Sequence, residues 1–178
     1  MKKGLSARPL VRGALIAAAY ATLSYLSAPL TFAFFQFRLS EALCVLPIFL
    51  PEAIPGLFIG CIISNYISGC VLWDIVFGSL ATLIGAFFAR ALAKLPHKLM
   101  FVTTLPTVFA NAIIVPFVIM YAYGSPESYW FLFATVMVGE LVTATLVGTL
   151  LYYQLHKRKA FFAPNVNNKK EIGTTVKK

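Results

Sequence analysis

Charge is scarce in this chain, and negative charge is scarcest. Six Asp and Glu stand against 15 Lys and Arg in 178 residues. Charged residues make up 12% of the chain and hydrophobic ones 60%. A soluble domain sits nearer roughly 25% and 45–50%, so a water-soluble globule is excluded. Histidine is limited to His97 and His156. No nucleophile stands with a histidine and an acid, and no metal-ligand spacing occurs, so neither an enzyme active site nor a metal or cofactor is expected. Cys44, Cys61 and Cys70 form no close pair and neighbour no histidine. They read as small apolar fillers, not as disulfides or ligands. A phosphate-cradling glycine loop is also absent, so the chain is not expected to hydrolyse ATP by itself.

What the chain does have is long apolar runs, with a mean hydropathy of +0.82. Runs of this kind, without amphipathic striping, mark a polytopic membrane domain in a lipid bilayer. The net charge of +9 does not point to nucleic acid. Its basic residues gather at Lys2, Lys3, Arg8 and Arg12, at Arg90, Lys94 and Lys98, and over 157–178. Each group flanks an apolar run, the pattern of topology determinants. The apolar stretch 10–35 follows basic residues but is too long for a signal peptide, so it is expected to stay as a first span.

Candidate spans are 11–34, 52–72, 73–93, 100–123 and 129–153, plus a short segment 39–50 that rises only ~18 Å as an α-helix. If each basic cluster is cytoplasmic, the number of crossings before Lys94 must be even, and the short segment supplies the fourth. The expectation is therefore an all-α integral membrane protein of the cell membrane. It is one six-transmembrane-helix bundle over 1–160, with both termini cytoplasmic and a short second helix. A polar tail over 161–178 is expected to be disordered and cytoplasmic. The loops 69–74 and 124–127 are expected outside.

The short segment lies in FQFRLSEALCVLPIFLPEAIP, residues 35–55, which carries Arg38, Ser40, Glu41 and Glu52 among three prolines. Charges at such depth are costly unless they have a role. A helix shorter than its neighbours leaves Arg38, Ser40 and Glu41 in a recess open to the exterior, with Glu52 at the inner end. Arg38 and Glu41, three apart, either pair at the helix start or belong to a site. Within the spans the polar residues are Asn65, Asn111 and Glu140. Asn111 lies 12 residues from Tyr123, and Glu140 lies 11 from Tyr129. Both are thus ~17 Å deep and can share one level. A carboxyl at that depth calls for a partner or a ligand. Asp74 reads as an N-cap. On the first span, Ala14 with Ala18, and Ala17 with Ala21, each make a small-xxx-small pair suited to close helix approach. The partner helix is either within the bundle or outside it.

The residues RLSEAL (38–43), Leu46-Pro47, PEAIPGLFIG (51–60), Asn65 and DIVFGSLATL (74–83) together resemble the queuosine precursor transporter (QueT) family over most of 14–148. The resemblance implies a substrate-binding S component of an energy-coupling factor (ECF) transporter. Such a subunit works with a transmembrane coupling subunit and two cytosolic ATPases. The implied solute is a 7-deazaguanine precursor of queuosine, 7-aminomethyl-7-deazaguanine. Its guanine-like edge and its cationic arm ask for two acids, for which Glu41 and Glu140 are the candidates, in either assignment. Asn65 and Asn111 are candidate amides, and Arg38 either joins the ligand or orients Glu41. The resemblance also implies docking on the coupling subunit through an alanine motif. Ala14 with Ala18 fits it best, with Ala17 and Ala21 as the competing register. The rival reading is a stand-alone secondary transporter for a purine-like or vitamin-like solute.

Overall fold

A computed structural model describes residues 7–31 and 37–158. The polar tail expected over 161–178 lies outside the described residues, as does the end of the expected first span. The described chain is helical, with no strand. Helix α1 spans Ala7–Thr31, α2 Ala53–Ile67, α3 Leu72–Ala91, α4 Leu105–Ala122, α5 Tyr129–Glu140 and α6 Gly148–Lys157. A ten-residue 3-10 helix, Leu39–Ile48, lies between α1 and α2. A π-helical turn, Leu141–Val147, joins α5 to α6 into one continuous rod. Among the described residues, four stretches are long and apolar enough to cross a membrane: Ala7–Pro29, Leu72–Lys94, His97–Ala122 and Tyr129–Lys157. Leu39–Ile48 and Ala53–Ile67 are apolar but shorter.

Two segments differ from their expected form. The expected span 52–72 is cut to 15 residues, or ~22 Å. Ser68 caps α2 at its C-terminus, and Gly69 at φ +71° turns the chain away. Only glycine enters that left-handed region freely. The short segment 39–50 winds as a 3-10 helix, with a rise of ~2.0 Å per residue, and not as an α-helix. Side chains three apart therefore eclipse along one edge. Arg38, Glu41, Cys44 and Pro47 fall in that series, and the last three are buried.

Contacts at the two ends show how the segments lie against one another. At one end, Arg12 pairs with Glu52 at 3.4 Å. There too, Arg90 Nη1 donates to the carbonyls of Pro47 and Ile48 at 3.2 and 3.0 Å. His97 stacks on His156 at the same end, with ring centroids 4.1 Å apart. At the other end, Val71 N donates to Tyr123 Oη at 3.3 Å, and Arg38 faces Asp74. Neighbouring segments therefore run in opposite directions. The 3-10 helix lies inside the bundle, against α1, α3, the π-turn and α6.

Small residues set the closest helix approaches. A Cβ on Gly56 would stand 2.7 Å from the Gly13 carbonyl oxygen, and one on Gly60 would stand 2.8 Å from that of Ala17. Gly85 on α3 abuts Thr107 on α4, whose Cα would be 2.8 Å from an added Cβ. Bulk points outward instead: Leu10, Leu15, Tyr66, Phe87, Phe109 and Trp130 are all exposed. Without a hydrophobic drive between helices in lipid, close packing of small residues provides the cohesion. On α1, Ala17 is buried against Gly60, whereas Ala14 and Ala18 are exposed.

Gly60→Val is expected to cost about 1–3 kcal/mol through overpacking. Thermal unfolding in detergent should then show a Tm lowered by roughly 2–10 °C. Ala18→Val, on the exposed face, should leave stability within about 0.5 kcal/mol. Equal Tm values for the two variants would refute this packing.

Candidate functional site

The bundle interior carries far more polarity than its composition suggests. Glu41, Asn65, Asp74, Thr82, Thr107, Asn111, Glu140 and Thr143 are all buried. Burying such groups is affordable only if they meet each other or a ligand.

Glu41 is the most enclosed, at 0% exposure. Tyr20 on α1 donates its hydroxyl to Glu41 Oε1. Cys44, one 3-10 turn along, donates its thiol to Oε2 at 3.0 Å. Thr82 on α3 reaches Oε1 at 3.4 Å. Thr82 also lies 3.5 Å from Cys61 Sγ and 3.2 Å from the Gly78 carbonyl. Three elements thus converge on one carboxyl, and both its oxygens are used.

Towards the Val71 end, the polar chain continues along α3. Asp74 lies two helical turns from Thr82, ~12 Å away along the axis. Its expected N-cap position is taken by Val71, and the Asp74 carboxyl turns inward. Asp74 Oδ2 accepts from Tyr123 at 2.9 Å and faces Arg38 Nη2 at 3.9 Å. Asn65 Nδ2 donates to the Asp74 backbone carbonyl at 3.3 Å. Arg38 therefore faces Asp74; the only two ion pairs among the described residues are this one and Arg12–Glu52. The alternative pairing of Arg38 with Glu41 is not formed. Burial, reinforced by Asp74, holds the nearby Cys70 thiol above its ordinary value, so it stays neutral.

The third group joins α4 to α5. Asn111 and Glu140 are 2% and 3% exposed. Asn111 lies beside Glu140, and Glu140 Oε2 and Asn111 Nδ2 are left without hydrogen-bond partners among the described residues, as is Thr107 Oγ1, one turn before Asn111 on α4. The Glu140 and Glu41 carboxyls lie within electrostatic reach of each other. The π-turn begins directly after Glu140. Such turns widen a helix locally and often accompany functional positions.

Arg38, Glu41, Asn65, Asn111 and Glu140 therefore all face the interior, in two tiers. Arg38 and Asn65 gather at Asp74, while Glu41 and Glu140 lie deeper, with Asn111. Ala14 and Ala18 are apart from both, on the outer side of α1. The sequence reading had no place for Tyr20, Cys44, Cys61, Thr82 or Tyr123 in this group. One usable signal was the row Asp74, Gly78, Thr82, Gly85, Ala86 and Ala89, polar and small residues at helical spacing on one face of α3.

Comparison with curated proteins and with solved structures returns no match. A family model does match, over residues 10–157, which takes in every described element from the body of α1 to the end of α6, and its description is the QueT transporter. The chain belongs to the QueT transporter family, a family of membrane transporters and not of enzymes.

Proposed function

We propose that the chain is the substrate-binding S component of an ECF transporter for a queuosine precursor. The solute is 7-aminomethyl-7-deazaguanine. ATP is hydrolysed on two cytosolic partner subunits, coupled through a transmembrane partner. The chain crosses the cell membrane six times with both termini cytoplasmic. Arg12, Arg90, Lys94, Lys98, Lys157 and Arg158 support that orientation. They belong to segments that meet around Pro47–Glu52, so one end of the bundle carries the positive charge. The Asp74 end is then external, and the solute enters there.

The observation that carries the reading is the set of unpartnered polar atoms at Glu140 and along the inner face of α4. Glu140 Oε2 is an acceptor, Asn111 Nδ2 a donor, and Thr107 Oγ1 serves as either. A guanine-like edge offers two adjacent N–H donors to a carboxylate and a carbonyl to an amide. Glu41 supports the same tier, Asn65 and Arg38 stand above it, and the flat ring lies among apolar side chains. Capture from outside is followed by reorientation of the bundle against the coupling subunit. That partner docks on the exposed Ala14 and Ala18 face of α1, where small side chains admit a second helix closely.

One observation favours the rival, a stand-alone secondary transporter: an unpartnered carboxyl at mid-bundle is also a proton site. Uptake into liposomes driven by a proton gradient, without ATPases, would select that rival.

Glu140→Gln is expected to weaken binding of 7-aminomethyl-7-deazaguanine by about tenfold or more, since a charge-assisted hydrogen bond is worth about 1.5–3 kcal/mol, and Glu41→Gln is expected to weaken it too, by disturbing the network that holds the carboxyl tier. Isothermal titration of the detergent-purified chain measures this, and unchanged affinity in both variants would place the site elsewhere. Ala14→Trp and Ala18→Trp should abolish copurification with the coupling subunit while sparing solute binding. Loss of solute binding instead would mean that this face packs within the bundle.

A further inference from the structure

Polar groups on three segments close in on Gly78. A Cβ there would stand 3.1 Å from Asn65 Nδ2, 3.2 Å from Asp74 Oδ1 and 3.8 Å from Arg38 Nη1. The first two distances are tighter than ordinary van der Waals contact, so a side chain at position 78 would press on Asn65 and Asp74. Asp74 is 6% exposed, and its two oxygens differ. Oδ2 accepts from Tyr123 and faces Arg38 at 3.9 Å, which is beyond charge-assisted hydrogen-bond length. Oδ1 is buried and has no partner among the described residues. A buried acceptor left unpaired is costly, so this oxygen calls for a donor from a ligand.

The charge balance says what kind of donor. Among the described residues, the interior holds three carboxyls, Glu41, Asp74 and Glu140, against one guanidinium, Arg38. A cationic ligand group reduces the deficit; a neutral one does not. Distance fits as well. Thr82, beside Glu41, lies ~12 Å from Asp74 along α3. A flat bicyclic ring lying along that face has its N–H edge at the carboxyl tier. Its one-carbon arm then points towards Asp74.

We infer that Asp74, through its unpartnered Oδ1, receives the cationic aminomethyl arm and so selects the amine over neutral analogues. This rests on the deazaguanine reading above. It leaves Glu140 to the ring edge and Glu41 to a network that its own donors already complete.

The test compares three ligands: 7-aminomethyl-7-deazaguanine, 7-cyano-7-deazaguanine and 7-deazaguanine, which has no arm. Each is titrated into the full chain in detergent. The wild type should bind the amine about tenfold or more tighter than the nitrile. Asp74→Asn should bring that ratio close to one while keeping nitrile and armless affinities within about threefold. A ratio unchanged in Asp74→Asn overturns the assignment. If Asp74→Asn binds nothing, Gly78→Ala decides. Weakened binding of the two armed ligands alone supports the arm's placement; an equal effect on all three, or none, overturns it. A wild type that binds amine and nitrile equally refutes the Asp74 assignment alone. A wild type that binds none of the three refutes the transported solute itself, and this assignment with it.

Discussion

Glu41 is a carboxyl with no access to water, and much of the bundle follows from keeping it there. An isolated charge in an apolar interior costs many kcal/mol, so its neighbours must be donors. The 3-10 winding supplies one of them. At three residues per turn, Cys44 eclipses Glu41 and its thiol reaches Oε2. An α-helix would rotate position 44 by ~60° from that line. Tyr20 and Thr82 come from α1 and α3, so the carboxyl ties three elements together. Arg90, donating to the carbonyls of Pro47 and Ile48, closes the far end of the same helix. A segment this short would otherwise leave its last carbonyls unpaired.

Donors can reach Glu41 only if the helices stand close. Gly56 and Gly60 let α2 lie against Gly13, Ile16, Ala17 and Tyr20 of α1, and Gly85 does the same for α3 against Thr107. Tyr20 stands one turn beyond Ala17, so the contact that seats α1 on α2 also delivers the phenol to Glu41. Packing and polarity are one arrangement here. Larger residues at the glycines would separate the helices and strand a carboxyl.

The membrane character, the helical fold and the importance of 35–55 were legible in the sequence, because apolar run length and isolated charges are read one segment at a time. The interior polar residues were legible too: Asn65, Asn111 and Glu140 stand out where everything else is apolar. Their partners were not. Cys44 and Cys61 look like fillers in any linear reading, since a thiol is both a small hydrophobe and a weak donor. Which of these it is depends on the carboxyl across from it. Asp74 looked like an N-cap because it opens a helix, yet capping is decided by backbone angles at Val71. Tyr123 and Arg38 are 49 and 36 residues from Asp74 in sequence, a pairing that only tertiary structure shows. The length of α2 was overestimated because Ser68, Gly69 and Cys70 interrupt the run too mildly for hydropathy to register.

The three buried carboxyls differ in what remains unmet. Around Glu41 both oxygens have donors, so that carboxyl behaves as framework. Around Glu140 and Asp74 one oxygen each is unpaired, and both lie beside an amide that can bind a second molecule, Asn111 in one case and Asn65 in the other. Framework and unmet capacity alternate along α3 and across to α5. This division follows from geometry, since the 3-10 helix, α1 and α3 each bring a donor to Glu41, whereas the π-turn begins just past Glu140. The charge on the short 3-10 helix is thus satisfied within the bundle, and the longest rod carries a charge left unsatisfied. A transporter needs that asymmetry: a site complete without its solute has no reason to bind one, and a framework left incomplete would not hold the site in place.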